Sequence, residues 1–236
     1  MRIIAVGIKK SSPLPIHRLK KADLIWLATH RCRHGHTYLE HYACFVSEHP
    51  EMQEKIGFLD IECSNLNANF GIILSYCIKQ SWNDEIIYGV INTSDIRKYD
   101  DDKTDYRIVK KIIDDMLTFD RIITHYGRKF DIPYIRTRAL MMDIDFPSFG
   151  SIVNDDTWLM ARGKLRLNSN RLDTIERALF GESAKTHIDF KYWIAASRGD
   201  KTALEYVLDH NKKDVLSLEK VYYKLRDFVG KRNCSI

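Results

Sequence analysis

After Pro50 the pattern becomes one of apolar runs. Residues 55–63 (KIGFLDIEC) break only at two acids, Asp60 and Glu62. Length and content predict a buried strand. A turn over 65–69 follows, then a second run at 71–79 (GIILSYCIK), a polar break at 81–84 (SWND) and a third run at 85–91 (EIIYGVI). Three strands joined by short turns predict an antiparallel meander. The period then lengthens. Ile108, Ile112, Ile113, Met116 and Leu117 share one face if 105–118 is helical. RIITHY, 121–126, predicts a short strand, and 131–142 a helix with Asp131 near its start and Pro133 in its first turn. Residues 151–158 read as a short strand and turn, and 172–181 as a helix stopped by Gly181. Helical spacing runs through 203–229, as one helix or as two broken near Asp209. Strands first, then alternating helix and strand, predict an α/β domain whose mixed β-sheet is flanked by helices.

Composition narrows the class. The chain has 236 residues, 44% hydrophobic and 29% charged, which excludes a disordered or collagen-like protein. Its length fits one full domain with a smaller one beside it. No run of 18 apolar residues exists, so no membrane span is expected. The start, MRIIAVGIKKSSPLP, lacks the cleavage site of a secretory signal. Five cysteines, an odd count, fit a reducing compartment, so a cytoplasmic protein (host cytoplasm if viral) is expected. Lys and Arg number 37 against 32 Asp and Glu, a net charge of +5 that permits nucleic acid as a partner.

Residues 1–54 differ from the rest. Five of the nine histidines fall in 30–49, with Cys32 and Cys44 among them. Cys32, His34, His36, His41 and Cys44 are candidate ligands, and zinc takes four such groups tetrahedrally. Residues 32, 34 and 36 would share a strand face, and His41 and Cys44 a helix face at i, i+3. One structural Zn²⁺ held by Cys32, Cys44 and two of the histidines is one reading. A His-rich loop that binds nucleic acid or nothing is the other. Lys9, Lys10, Arg18, Lys20, Lys21, Arg31 and Arg33 make this module basic, a plausible grip on nucleic acid. The domains are thus expected at 1–54 and 55–236.

Acids carry the candidate chemistry. Asp60 and Glu62 point to one face of a strand apolar enough to be central, where charge needs a partner. Asp131 (in HYGRKFDIPYI) lies where a strand passes into a helix, a frequent place for active-site groups in α/β sheets. In HNKKDV, His210 and Asp214 stand one helical turn apart. Singly, each fragment is also a solvent-facing pair or a helix cap. Together, four carboxylates suit Mg²⁺ or Mn²⁺, and a histidine beside them can take a proton from water near neutral pH.

Those three fragments carry a family resemblance. FLDIECSNL, HYGRKFDIP and HNKKDV resemble, in order, the three motifs of the DEDD 3′–5′ exonucleases of the ribonuclease H-like superfamily. They are most similar to a phage and bacterial branch related to the proofreading domains of family B DNA polymerases. The resemblance implies a ribonuclease H-like fold and hydrolysis of phosphodiester bonds with two Mg²⁺ or Mn²⁺. It implies Asp60, Glu62, Asp131 and Asp214 as metal ligands and His210 as general base. It also implies that Leu66 packs on the terminal base. Similar proteins carry Tyr four residues before the last Asp or His five before it, whereas here His stands at the Tyr spacing. Where they often carry Asn in the second motif, this chain has His125 or Tyr126.

Basic and aromatic residues surround the motifs. Arg162, Lys164, Arg166 and Arg171 fall within ten residues, and alternation along an extended segment would align the first three. They can meet phosphates or form a solvated face. Arg128, Lys129, Arg136 and Arg138 flank Asp131 and can meet the nucleic-acid backbone, while Tyr126 can stack on bases. The expected protein is a 3′–5′ exonuclease acting on single-stranded DNA, or alternatively on RNA, and releasing nucleoside 5′-monophosphates. Replication or repair proteins are possible partners. A structure-specific endonuclease, a non-catalytic nucleic-acid-binding module and a zinc-binding structural partner are the other readings.

Overall fold

A computed structural model of the chain describes residues 21–49, 54–98, 103–183 and 189–229. Lys9, Lys10, Arg18 and Lys20 lie outside the described residues. The chain divides into two compact units, 1–55 and 56–236.

In the first unit, α1 (Lys21–Thr29) and α2 (Tyr42–Glu48) flank a tight turn. The predicted strand face through residues 32, 34 and 36 is replaced by that turn. Its ends are tied by Cys32 N–H donating to the His36 carbonyl at 2.9 Å, and Gly35 takes the left-handed φ of +83° that closes it. Leu27, Tyr38 and Phe45 are buried around the two cysteines.

The second unit is built on a five-stranded mixed sheet in the order β3-β2-β1-β4-β5. β1 (Ile56–Cys63), β2 (Ile73–Gln80) and β3 (Ile86–Val90) form the expected antiparallel meander. After α3 (Thr93–Lys98) and α4 (Tyr106–Met116), β4 (Arg121–Thr124) adds parallel to β1. α5 (Asp131–Met141) leads to β5 (Val153–Asp156), parallel to β4. Then come α6 (Thr157–Lys164), α7 (Leu172–Phe180), α8 (Phe190–Ser197) and α9 (Lys201–Leu225). Gly181 caps α7 in the left-handed region at φ +83°, as its position predicts. The region after residue 203 is one helix, with no break at Asp209.

The strand period of two separates two cores. Leu59 and Ile61 face the packing of α4 and α5, with Ile108, Ile112 and Ile135. Ile56 and Phe58 face α9 and α7, with Val215, Leu218, Val221 and Ile175. Arg138 on α5 lies inside the first core at 1% exposure. Its guanidinium grips the fully buried Asp105 at 2.6 and 3.0 Å and donates to the Ala68 carbonyl at 3.2 Å. This corrects the expectation that Arg138 meets nucleic acid; it is a scaffold residue. Arg136, by contrast, lies over the Phe146 ring at 5.0 Å.

Candidate active site

β1 changes character along one face. Ile56 and Phe58 are buried against α9, where Phe58 meets the rings of Tyr222 and Tyr223 at 5.6 and 5.8 Å. The next two residues on that face are Asp60 and Glu62. α9 changes in step, from Leu225, Tyr222 and Leu218 back to Asp214, Asn211 and His210. Apolar meets apolar at one end, and polar meets polar at the other. His210 Nδ1 lies 3.2 Å from Glu62 Oε1 and 3.7 Å from Asp214 Oδ2. Donor atoms of Glu62, His210 and Asp214 all lie within 4.8 Å of one another. Asn211 donates its Nδ2 to Asp60 Oδ2 at 2.9 Å, so α9 holds both acids of β1.

Asp131, the first residue of α5, joins by another route. Its Oδ1 accepts the backbone N–H of Ile61, between the two strand acids, at 3.2 Å. A backbone brace behind it sets its position. Asp156, at the end of β5, caps α6 by accepting from Trp158 N–H at 2.9 Å. The same carboxylate accepts from the amides of Tyr126 and Arg128 at 2.9 and 3.1 Å. Thr157 Oγ1 donates to the Thr124 carbonyl at 3.1 Å and lies 2.9 Å from His125 Nδ1. The loop into α5 is thus pinned, and Tyr126 is held at φ +65°, a strained value for a residue with a side chain. Gly127 allows close approach, though within the chain: a Cβ there would collide with the Thr124 side chain.

The electrostatics favour a cation. Burial, followed by the charges of Asp156 and Glu62, pushes the Asp131 carboxyl up to about 7. Two backbone N–H groups, its own and that of Ile61, pull the other way and do not prevail. Among the described residues neither Glu62 nor Asp131 forms an ion pair with Lys or Arg. Elsewhere in this unit Asp95, Asp105 and Asp155 each hold an arginine at 2.6 Å. Glu62, His210 and Asp214, whose donor atoms lie within 4.8 Å of one another, could hold a metal ion, with Asp60 and Asp131 on the adjoining strand and helix.

An open cleft lies over this cluster, lined by Asp60, His125, Tyr126, Trp158, Arg171, Leu172 and Asp214. Its aromatic wall is Tyr126 and Trp158, edge to face with ring centroids 5.1 Å apart. Lys129 and Arg162 sit over the Trp158 ring at 5.9 and 5.1 Å. Arg162 and Lys164 belong to the last turn of α6, so they do not alternate with Arg166 along an extended segment. Lys164 lines a neighbouring cleft with Arg128, Asp155 and Asp156. Leu66 stands on the loop after β1 at 81% exposure, with Phe70 at 78%, so neither is a core residue. Sequence reasoning missed Trp158, Asn211 and Asp156. The available signals were the spacing of Trp158 and Arg162 at i, i+4, the place of Asn211 beside His210, and an Asp opening DTWLMAR as a cap.

In the first unit, Cys32, His34, His41 and Cys44 bring their donor atoms within 4.8 Å of one another. His36 is outside this group, its ring against that of His41 at 5.4 Å.

Comparison with known proteins agrees with the fold. A family model described as the RNase_H superfamily matches residues 57–226. No curated protein matches the chain. Among solved structures, the family B DNA polymerase of the hyperthermophilic archaeon Pyrobaculum calidifontis is similar at a TM-score of 0.55 and 18% identity. The match covers 72% of this chain and 24% of the polymerase chain, so this protein spans about a quarter of that relative's length.

Proposed function

The chain belongs to the RNase_H superfamily, and from that premise we propose that it is a metal-dependent 3′–5′ exonuclease that degrades single-stranded DNA to nucleoside 5′-monophosphates. One observation carries this reading: β1, the start of α5 and the middle of α9 deliver four acids and a histidine to one end of the sheet, beside an aromatic and basic cleft.

Asp60, Glu62, Asp131 and Asp214 would hold two Mg²⁺ or Mn²⁺ ions. Bound there, such ions supply activation of the attacking water and charge neutralisation at the departing 3′ oxygen. His210 acts as general base. With its Nδ1 proton given to Glu62, the basic lone pair is on Nε2, which accepts the proton of the attacking water. Asn211 orients Asp60 through their hydrogen bond. Tyr126 and Trp158 offer faces to the bases, and each stacked base is worth about 1–3 kcal/mol. Leu66, with Phe70, packs on the terminal base. Arg128, Lys129, Arg162, Lys164 and Arg166 meet phosphates, a contact that positions the strand without reading its sequence.

The test is an assay on 5′-labelled linear single-stranded DNA, a closed circle of the same sequence, and the matching RNA, each with Mn²⁺ or with chelator. Shortening of the linear DNA from its 3′ end, an intact circle, and loss of activity in Asp60→Ala and Asp214→Ala are expected. Cutting of the circle would move the assignment to an endonuclease, and faster loss of RNA would change the substrate. Undiminished hydrolysis by either variant would overturn the site.

A further inference from the structure

The Cys/His group of the first unit has the dimensions of a metal centre. Zn–S and Zn–N bonds of about 2.3 and 2.0–2.1 Å at tetrahedral angles set neighbouring S and N ligand atoms about 3.5–3.6 Å apart. Four such separations occur here. Cys32 Sγ lies 3.9 Å from His34 Nδ1 and 3.6 Å from His41 Nδ1. Cys44 Sγ lies 3.1 Å from His34 Nδ1 and 3.4 Å from His41 Nδ1. The values bracket the tetrahedral edge, and all four atoms lie within 4.8 Å of one another.

Hydrogen bonding alone does not account for this ring. A neutral imidazole Nδ1 either donates one proton or accepts one, and a thiol has one proton to give. Two thiols and two Nδ1 atoms therefore satisfy two of the four edges at once. A central cation satisfies all four. The local backbone serves the same end. Gly35 at φ +83° closes the turn that ties Cys32 N–H to the His36 carbonyl at 2.9 Å, with His34 at its tip, and Cys44 N–H donating to the His41 carbonyl at 3.0 Å opens α2 with both side chains on one side. Two of the three other histidines of the window are engaged elsewhere: His30 Nδ1 lies 3.0 Å from the Trp26 carbonyl, and His49 Nε2 lies 3.2 Å from the Tyr38 hydroxyl.

We propose that Cys32, His34, His41 and Cys44 bind one structural Zn²⁺, and that this ion holds the first unit folded. The chemistry is specific to a borderline-soft cation, since thiolate and imidazole are poor ligands for Mg²⁺ or Mn²⁺. Among the described residues the buried apolar side chains of this unit, apart from the two cysteines, are Leu27, Tyr38 and Phe45. Trp26, Tyr42 and Val46 pack against them, and a bound metal would add its binding free energy directly to the stability of this cluster. Binding displaces the thiol protons to solvent and leaves two thiolates that balance the charge of the ion.

The experiment uses the full chain, its metal content measured by atomic emission and its zinc exchanged for Co²⁺. One ion per chain and a thiolate-to-cobalt charge-transfer absorption are expected. The band should weaken in Cys44→Ser, which leaves the Cys32 thiolate, disappear when Cys32→Ser is added, and persist in His36→Ala. It should also persist in Asp214→Ala, because the carboxylate cluster contains no sulfur ligand; the outcome is thus separate from that of the nuclease assay. Should Cys44→Ser fail to fold, wild-type protein gives the answer. Removing zinc should speed alkylation of Cys32 and Cys44 at least ~10-fold, as buried thiolates lose their metal. Cobalt bound without the thiolate band, or alkylation rates indifferent to zinc, would overturn the proposal.

Discussion

Asp105 and Asp131 are both buried acids of the same domain, and they are treated in opposite ways. Asp105 is fully buried in the grip of Arg138, with the Ile73 amide as a third donor at 2.9 Å. Asp131, 4% exposed, has backbone amides for partners and the acids Glu62 and Asp156 for neighbours. Burying a carboxylate costs several kcal/mol unless a counter-charge comes with it. At Asp105 the chain supplies one and gains a rigid joint between α4 and α5. At Asp131 it gathers other acids instead. The first arrangement belongs to a scaffold; the second, under the proposed reading, would leave the counter-charge to a bound cation.

Breaking each arrangement should therefore give a different phenotype. Asp214→Ala or Asp60→Ala should cut hydrolysis on the order of 10⁴-fold, about 5 kcal/mol of transition-state stabilisation, with circular dichroism unchanged. Arg138→Met should do the reverse. Stranding Asp105 should cost about 3–5 kcal/mol in urea unfolding, with no rescue by Mn²⁺. A smaller effect separates substrate contact from chemistry: Trp158→Ala should weaken single-strand binding by about 1–3 kcal/mol, read as a higher KM with kcat nearly kept. Asp156→Ala removes a cap and the brace on the Asp131 loop, and should lower stability by about 1–2 kcal/mol.

A separate effect is on pH dependence. Between the ordinary carboxylate range and about 7, the folded chain keeps a proton on Asp131 that the unfolded chain has released. Without divalent cations, that group's contribution makes the fold weaken as pH rises through this window. Thermal unfolding of wild type against Asp131→Asn, in chelator across pH 4 to 8, should show a wild-type decline that the variant lacks. Parallel curves would remove the contrast with Asp105.

The strands were readable from their apolar runs, two of them buried throughout. Three of the four acids were readable from a period; Asp131 was marked only by its place between a strand and a helix. Asp60 and Glu62 interrupt an apolar strand at i, i+2, and His210 and Asp214 share a helix face at i, i+4. Gly181 marked its helix end for a steric reason. What escaped lacks a period long enough to register. α3 and α6 span six and eight residues, and α6 buries only Thr157, Met160 and Ala161, while its basic residues imitate an extended alternation. α8, FKYWIAAS, is apolar nearly all round, so no face stands out. Arg138 looked like a surface cation because its partner Asp105 lies 33 residues away. A separation of 28 to 30 residues hid Asp156 from the loop it braces, since a carboxylate that serves a cap and a remote loop together is a tertiary fact. In the first unit, composition pointed to a cluster of cysteines and histidines, but only the turn at Gly35 separates His34 from His36.

Calorimetric titration of the full chain with Mn²⁺ tests most directly whether the carboxylate cluster is built for cations. Two ions per chain are expected in the wild type, with at least one lost in Asp131→Asn and in Asp214→Ala. Wild-type protein that takes up no Mn²⁺, or variants that bind it as the wild type does, would show that these acids meet for another reason.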